Sequence, residues 1–206
     1  MPKLINHLLP RIKEKLCREH NSAFEYPWNF DAGDDRLLFK HERLYRHRIF
    51  RVNYTTYDVQ RSQDVINPYT SHRDIMVLNA LNSDEADGKF SYARVLAIYH
   101  VNVIYCNANG AYQMHQPRRM EFLWVRWFQV IQASAWNALR LDQLAFPTVN
   151  SDDAFGFIDP TDVLRGCHVV PRVALGKVHK DHYGISHCAQ DIEDWKGYYV
   201  NRCVLE

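Results

Sequence analysis

From residue 48 onward the sequence breaks into short segments rich in β-branched and aromatic residues. This punctuation constrains the fold more than any other feature. The segments are "RIFRVNYTTYDVQR", "DIMVLN", "FSYARVLAIYHVNVIY", "RMEFLWVRWFQVI", "ALRLDQLAF" and "FGFID", and turn-forming clusters such as "INPYTSHRD", "NSDEADGK" and "TVNSDDA" separate them. Flat and branched side chains suit a pleated, half-buried surface, while Gly, Pro, Asn and Asp end it. Six strands at this spacing predict a mainly β fold, an antiparallel sheet closed into an SH3-like barrel or folded into a sandwich.

Two helical pieces are expected around that sheet. Leu4, Ile5, Leu8, Leu9, Ile12 and Leu16 recur at helical spacing opposite Lys13, Glu14, Lys15 and Arg18, so residues 3–19 read as an amphipathic helix that Pro10 kinks or divides. "IDPTDVLRG" reads as one helical turn near 160–165, capped by Asp159, begun by Pro160 and ended by Gly166. The domain reading is a helix and linker over 1–42 and a β domain over 43–206, with an exposed loop at 174–194 and a closing strand at 198–205.

The stretch "MEFLWVRWFQV" (120–130) concentrates aromatic surface around one cation. In a strand, Leu123, Val125 and Trp127 share one face and Phe122, Trp124, Arg126 and Phe128 the other. The first set is core. The second is either covered by a helix or another sheet, in which case Arg126 needs a carboxylate or a ring, or open as a binding face.

A net charge of +1 gives no global pull toward nucleic acid or membrane, so any such binding must come from a local patch. The best local patch is "RLYRHRIFR" (43–51), with Arg43, Arg46, Arg48 and Arg51 near Tyr45. Arg suits bidentate phosphate contact, although alternate residues of one strand face opposite ways. Five scattered Cys without a CxxC, and an N-terminus whose charges interrupt its apolar residues, point to an intracellular protein with reduced thiols.

Catalytic chemistry finds little purchase. His179, His182, His187 and Cys188 are zinc-type donors at a spacing that fits no standard finger, so no metal or cofactor is expected. No Ser or Cys sits in a nucleophile context, and no Gly-rich phosphate loop occurs. Asp152–Asp153 reads as a solvated turn, and Asp159–Asp162 as a capped one, better than as a two-metal pair. The chain is expected not to be an enzyme.

Two resemblances extend this reading. "YARVLAIYHV", "VRWF", "LDQLAFP" and "FIDPTDVLRGCHVVP" occur in the order seen in bromo-adjacent homology (BAH) domains, β-barrel modules of chromatin proteins. That likeness covers roughly 74–171 and departs after "VRWF", where "QVIQ" replaces the family's Arg-Pro. "RVNYTTYDVQRSQD", "MEFLWVRWFQ", "AFGFIDPTDVLRGCHVVP" and "DWKGYYVNR" resemble proteins encoded beside transposases in mushroom-type fungi, similar in layout to a plant transposon-encoded domain of unknown function. Together they imply a nuclear, non-catalytic accessory module of a mobile-element protein. Its expected partner is a protein of the chromatin-peptide type, met by Trp124, Arg126, Phe128, Tyr54 and Tyr57. The alternative is a DNA-binding module acting through Arg43, Arg46, Arg48 and Arg51.

Overall fold

A computed structural model describes residues 2–19, 36–55, 59–78, 90–106, 116–132, 141–181 and 183–201. In chain order the elements are α1 (Pro2–Glu19), β1 (Arg36–His47), β2 (Phe50–Thr55), β3 (Arg61–Ile66), β4 (Asp74–Leu78), β5 (Phe90–Cys106), β6 (Arg118–Trp127), β7 (Gln129–Gln132), β8 (Asp142–Ala145), β9 (Phe155–Ile158), β10 (Val163–Gly166), β11 (His168–Pro171) and β12 (Tyr198–Asn201). The fold is mainly β with one N-terminal helix. The chain divides into two compact units, Met1–Arg46 with Tyr99–Phe122, and His47–Ile98 with Leu123–Glu206.

In the first unit α1 buries Leu4, Leu8, Ile12 and Leu16, one stripe at four-residue spacing. The helix runs on through Pro10 as a single element, so Pro10 does not divide it. Its last residue, Glu19, pairs with Arg118 on β6 at 2.5 Å. The strands of this unit alternate in burial: Val101, Val103 and Tyr105 on β5 and Met120 and Phe122 on β6 are buried. His100, Asn102 and Ile104 are half-buried, and Arg119 and Glu121 are exposed. One sheet face is therefore closed and the other is more open.

The second unit is layered. Its central sheet has the order β10-β4-β5-β6-β9, a four-stranded sheet has the order β11-β12-β8-β7, and β2 and β3 form a hairpin. The registers given within this unit are all antiparallel. Two cores result. Ile75 and Val77 of β4, Val95 of β5, Leu123 and Val125 of β6 and Ile158 of β9 pack with Val52 and Ile66 of the hairpin. On the other side Met76, Tyr92 and Phe128 pack with Leu144, Tyr198 and Val200 of the four-stranded sheet. This double cover explains why "DIMVL" and "ARVLAI" are nearly continuous apolar runs and not alternating ones: strands buried on both faces have no solvent side to mark.

Several expectations are corrected. The central sheet is an open path from β10 to β9, and no closed barrel forms among the described residues. The helical turn at 160–165 is shorter than its sequence suggests: Asp159 caps a 3-10 turn at Pro160–Asp162, accepting from the Thr161 N–H at 2.9 Å, and Val163–Gly166 is already strand β10. The short strands β3, β10 and β11 and the long β1 add to the six segments foreseen.

Candidate functional site

The aromatic run occupies β6 and the residue after it. Leu123 and Val125 are buried in the first core with Trp127 packed against them, as the alternation requires. The opposite face is also covered where it belongs to the second unit. Arg126 is 2% exposed and Phe128 5%. The cover is the four-stranded sheet and the segment leading into β12, not an open surface. Arg126 donates to Asp194 Oδ2 at 2.6 Å and lies over the Phe146 ring at 4.0 Å. Phe128 stacks on Phe146 at 4.0 Å and meets Tyr198 edge-on at 5.5 Å.

A second buried cation completes this cluster. Arg94 on β5 donates from Nε and Nη2 to the two oxygens of Asp74 at 2.8 and 3.2 Å, and its guanidinium also faces Phe146, at 4.9 Å. Burial works against the Arg94 charge, but the Asp74 carboxylate outweighs it and raises the guanidinium above its ordinary value. Burial pushes the Asp194 carboxyl above its ordinary value even though Arg126 opposes the shift. Tyr92 donates to Asp142 at 2.8 Å within the same core. These are desolvated charges paired inside the protein, the arrangement that buried ions need. Among the described residues of this face only Trp124 is left half-buried, beside Phe155 at 6.1 Å.

Tyr54 is also engaged: Arg165 sits over its ring at 4.2 Å. Tyr57 lies outside the described residues. The segment 174–194, expected to be an exposed loop, is exposed over most of its described residues but sends two carboxylates inward. Asp191 is 1% exposed and Asp194 3%. Asp191 accepts from the Ile185 and Ser186 N–H groups at 2.6 and 2.9 Å and lies 3.1 Å from His179 Nε2. His187 and Cys188 are exposed in a neighbouring turn, and His182 lies outside the described residues. Among the described residues no three His, Cys, Asp or Glu side chains gather where a metal ion would fit.

The basic residues are placed differently. Arg43 and Arg46 on β1 are exposed in the first unit, and Arg48 and Arg51 are exposed in the second. β1 carries Arg36, Lys40, Arg43 and Arg46 against Glu42 as its one carboxylate, and all residues from Lys40 to Arg46 are exposed. His41 and Glu42 have φ of 59° and 52°, a left-handed pair that interrupts the pleat just before Arg43. Arg43, Arg48 and Arg51 make no ion pair among the described residues. On the strand of Arg43, Tyr45, 36% exposed, lies flat against His100 of β5, with centroids 4.6 Å apart and planes 8° apart.

Comparison with family models, curated proteins and solved structures gives no match. The site must be judged on its own chemistry.

A pocket of about 280 Å³ in the second unit is lined by Asp64, Ser71, His72, Cys167 and His168 among others. Asp64 is already used by the Gly166 N–H at 2.9 Å, and Asp74 by Arg94. Burial pushes the Cys167 thiol well above its ordinary value, so it is a poor nucleophile. Asp152 and Asp153 are exposed in a turn closed by Ala154 N–H to Ser151 O at 3.1 Å. Among the described residues no helix is long and apolar enough to cross a membrane.

Proposed function

We propose that this chain is a non-catalytic binding module whose ligand is nucleic acid, held through the exposed basic strand β1. The observation that carries the reading is Arg43 on a strand with four cations and one carboxylate, exposed and without an ion-pair partner among the described residues. Guanidinium groups held on a strand are suited to phosphate oxygens, and their contribution rises with their number and falls with salt. Arg46 lies on the same strand, and Arg48 and Arg51 follow in sequence.

The reading in which rings enclose a chromatin-type peptide has less support. Arg126 and Phe128 are spent on Asp194, Phe146 and Tyr198, and Tyr54 on Arg165. A mobile-element origin and a BAH-like relationship remain part of the proposal. They rest on the order of the quoted motifs, and an accessory module of that kind accords with a nucleic-acid ligand. Fluorescence anisotropy of labelled oligonucleotides at low and raised salt tests the reading. Binding that weakens steeply between about 50 and 200 mM salt is expected. No binding at the lower salt, to single or double strands, would end it.

A further inference from the structure

We infer that the Tyr45–His100 stack is a base-stacking platform, and that the ligand of β1 is therefore single-stranded nucleic acid and not duplex. The inference rests on the nucleic-acid reading and names its substrate class. The first unit's sheet has a closed face, with Val101, Val103, Tyr105, Met120 and Phe122 buried, and a more open one, half-buried at His100, Asn102 and Ile104 and exposed at Arg119 and Glu121. His100 lies on the open face, because it alternates with those buried β5 residues. Tyr45 reaches His100 from the neighbouring strand, ring on ring at 4.6 Å, and still keeps 36% of its surface exposed. Arg43, two residues earlier and beyond the left-handed pair, shares the face of Tyr45.

An exposed ring held parallel to another has already lost its rotamer freedom, so a third flat ring can join the stack at little further entropic cost. A nucleobase is such a ring. Stacking on an aromatic side chain contributes about 1–3 kcal/mol per base. In a duplex the base faces are stacked on one another, and only phosphates, sugars and base edges face outward. A duplex can then meet Arg43 but leaves Tyr45 unused. An unpaired strand uses both, with a base on the tyrosine and its phosphate on the arginine.

The test is anisotropy of the full chain with three equal-length deoxyribonucleotide probes: an oligopyrimidine single strand, a blunt duplex, and an abasic single strand that offers phosphates alone. The single strand should bind about 5- to 150-fold more tightly than the abasic strand. Tyr45→Leu should erase that difference and leave duplex binding unchanged, and Tyr45→Phe should keep it. If Tyr45→Leu does not fold, His100→Ala decides: loss of the ring that holds Tyr45 should narrow the difference several-fold, and an unchanged difference would overturn the inference. Duplex bound as tightly as single strand, or equal binding of the abasic and normal strands, would overturn the inference while the phosphate-binding reading stood. Failure of every probe to bind would overturn both.

Discussion

Replacing Asp194 with Ala removes the acceptor that makes the second face of the aromatic run tolerable as an interior. The side chains of Arg126 and Asp194 are 3% and 4% exposed and meet at 2.6 Å. Without Asp194 the guanidinium keeps the Phe146 ring at 4.0 Å, while its Nε has no hydrogen-bond partner among the described residues even now. Removing one partner of a buried pair strands the other charge, at a cost of about 3–5 kcal/mol. That is a large share of the ~5–15 kcal/mol that holds a domain folded. An exposed pair such as Lys177–Glu193 is worth about 0–1 kcal/mol. Urea unfolding followed by tryptophan fluorescence measures the difference, with the midpoint falling and the slope unchanged. The double change Arg126→Met with Asp194→Leu should recover most of the loss, because the charge and its partner leave together. A cost of ~1 kcal/mol or less for Asp194→Ala would refute the argument, since it would mean that Arg126 reaches water.

Three further outcomes follow from the geometry. A methyl at Gly156 would stand 2.5 Å from Trp127 Nε1, so Gly156→Ala should cost about 1–3 kcal/mol by the same unfolding measurement. Glu42→Gly relieves a left-handed φ of 52° and removes the carboxylate of β1, and should raise stability by about 1 kcal/mol while tightening oligonucleotide binding. The third concerns acid. Burial pushes the Asp191 carboxyl up, but the Ile185 and Ser186 N–H groups outweigh it and leave the value below the ordinary one. Its stabilising contribution is therefore present above the ordinary aspartate range and is lost as pH falls through the folded value. Asp191→Asn should therefore remove most of the acid-induced loss of amide protection at Ile185 and Ser186, measured against the intrinsic exchange rate.

The sequence made the strand-rich class, the helix and the parity of the run around Trp124 legible, because each depends on local spacing. What it left hidden depends on partners far along the chain. Arg126 meets a carboxylate 68 residues away, and Arg94 one 20 residues away. No pattern around "VRWF" announces Asp194, which sits in a stretch whose only local signals are polar. The open sheet was hidden for a similar reason: strands covered on both faces lose the alternation that would separate sandwich from barrel. The start of β1 at Arg36 was missed, within a segment read as linker, because its residues from Lys40 to Arg46 are all exposed and a left-handed pair breaks its period. Its arginines were visible as a basic patch. The Tyr45–His100 stack was not, since it forms between strands more than fifty residues apart in the chain.

The measurement that bears most directly on the account is the salt dependence of oligonucleotide binding in the unaltered chain and in Arg43→Ala/Arg46→Ala. Each phosphate neutralised on a single strand contributes about 0.7 to the slope of log K against log salt. The double variant should bind more weakly and show a slope shallower by about 1.4. An unchanged affinity and slope would contradict the assignment of β1 as the contact surface.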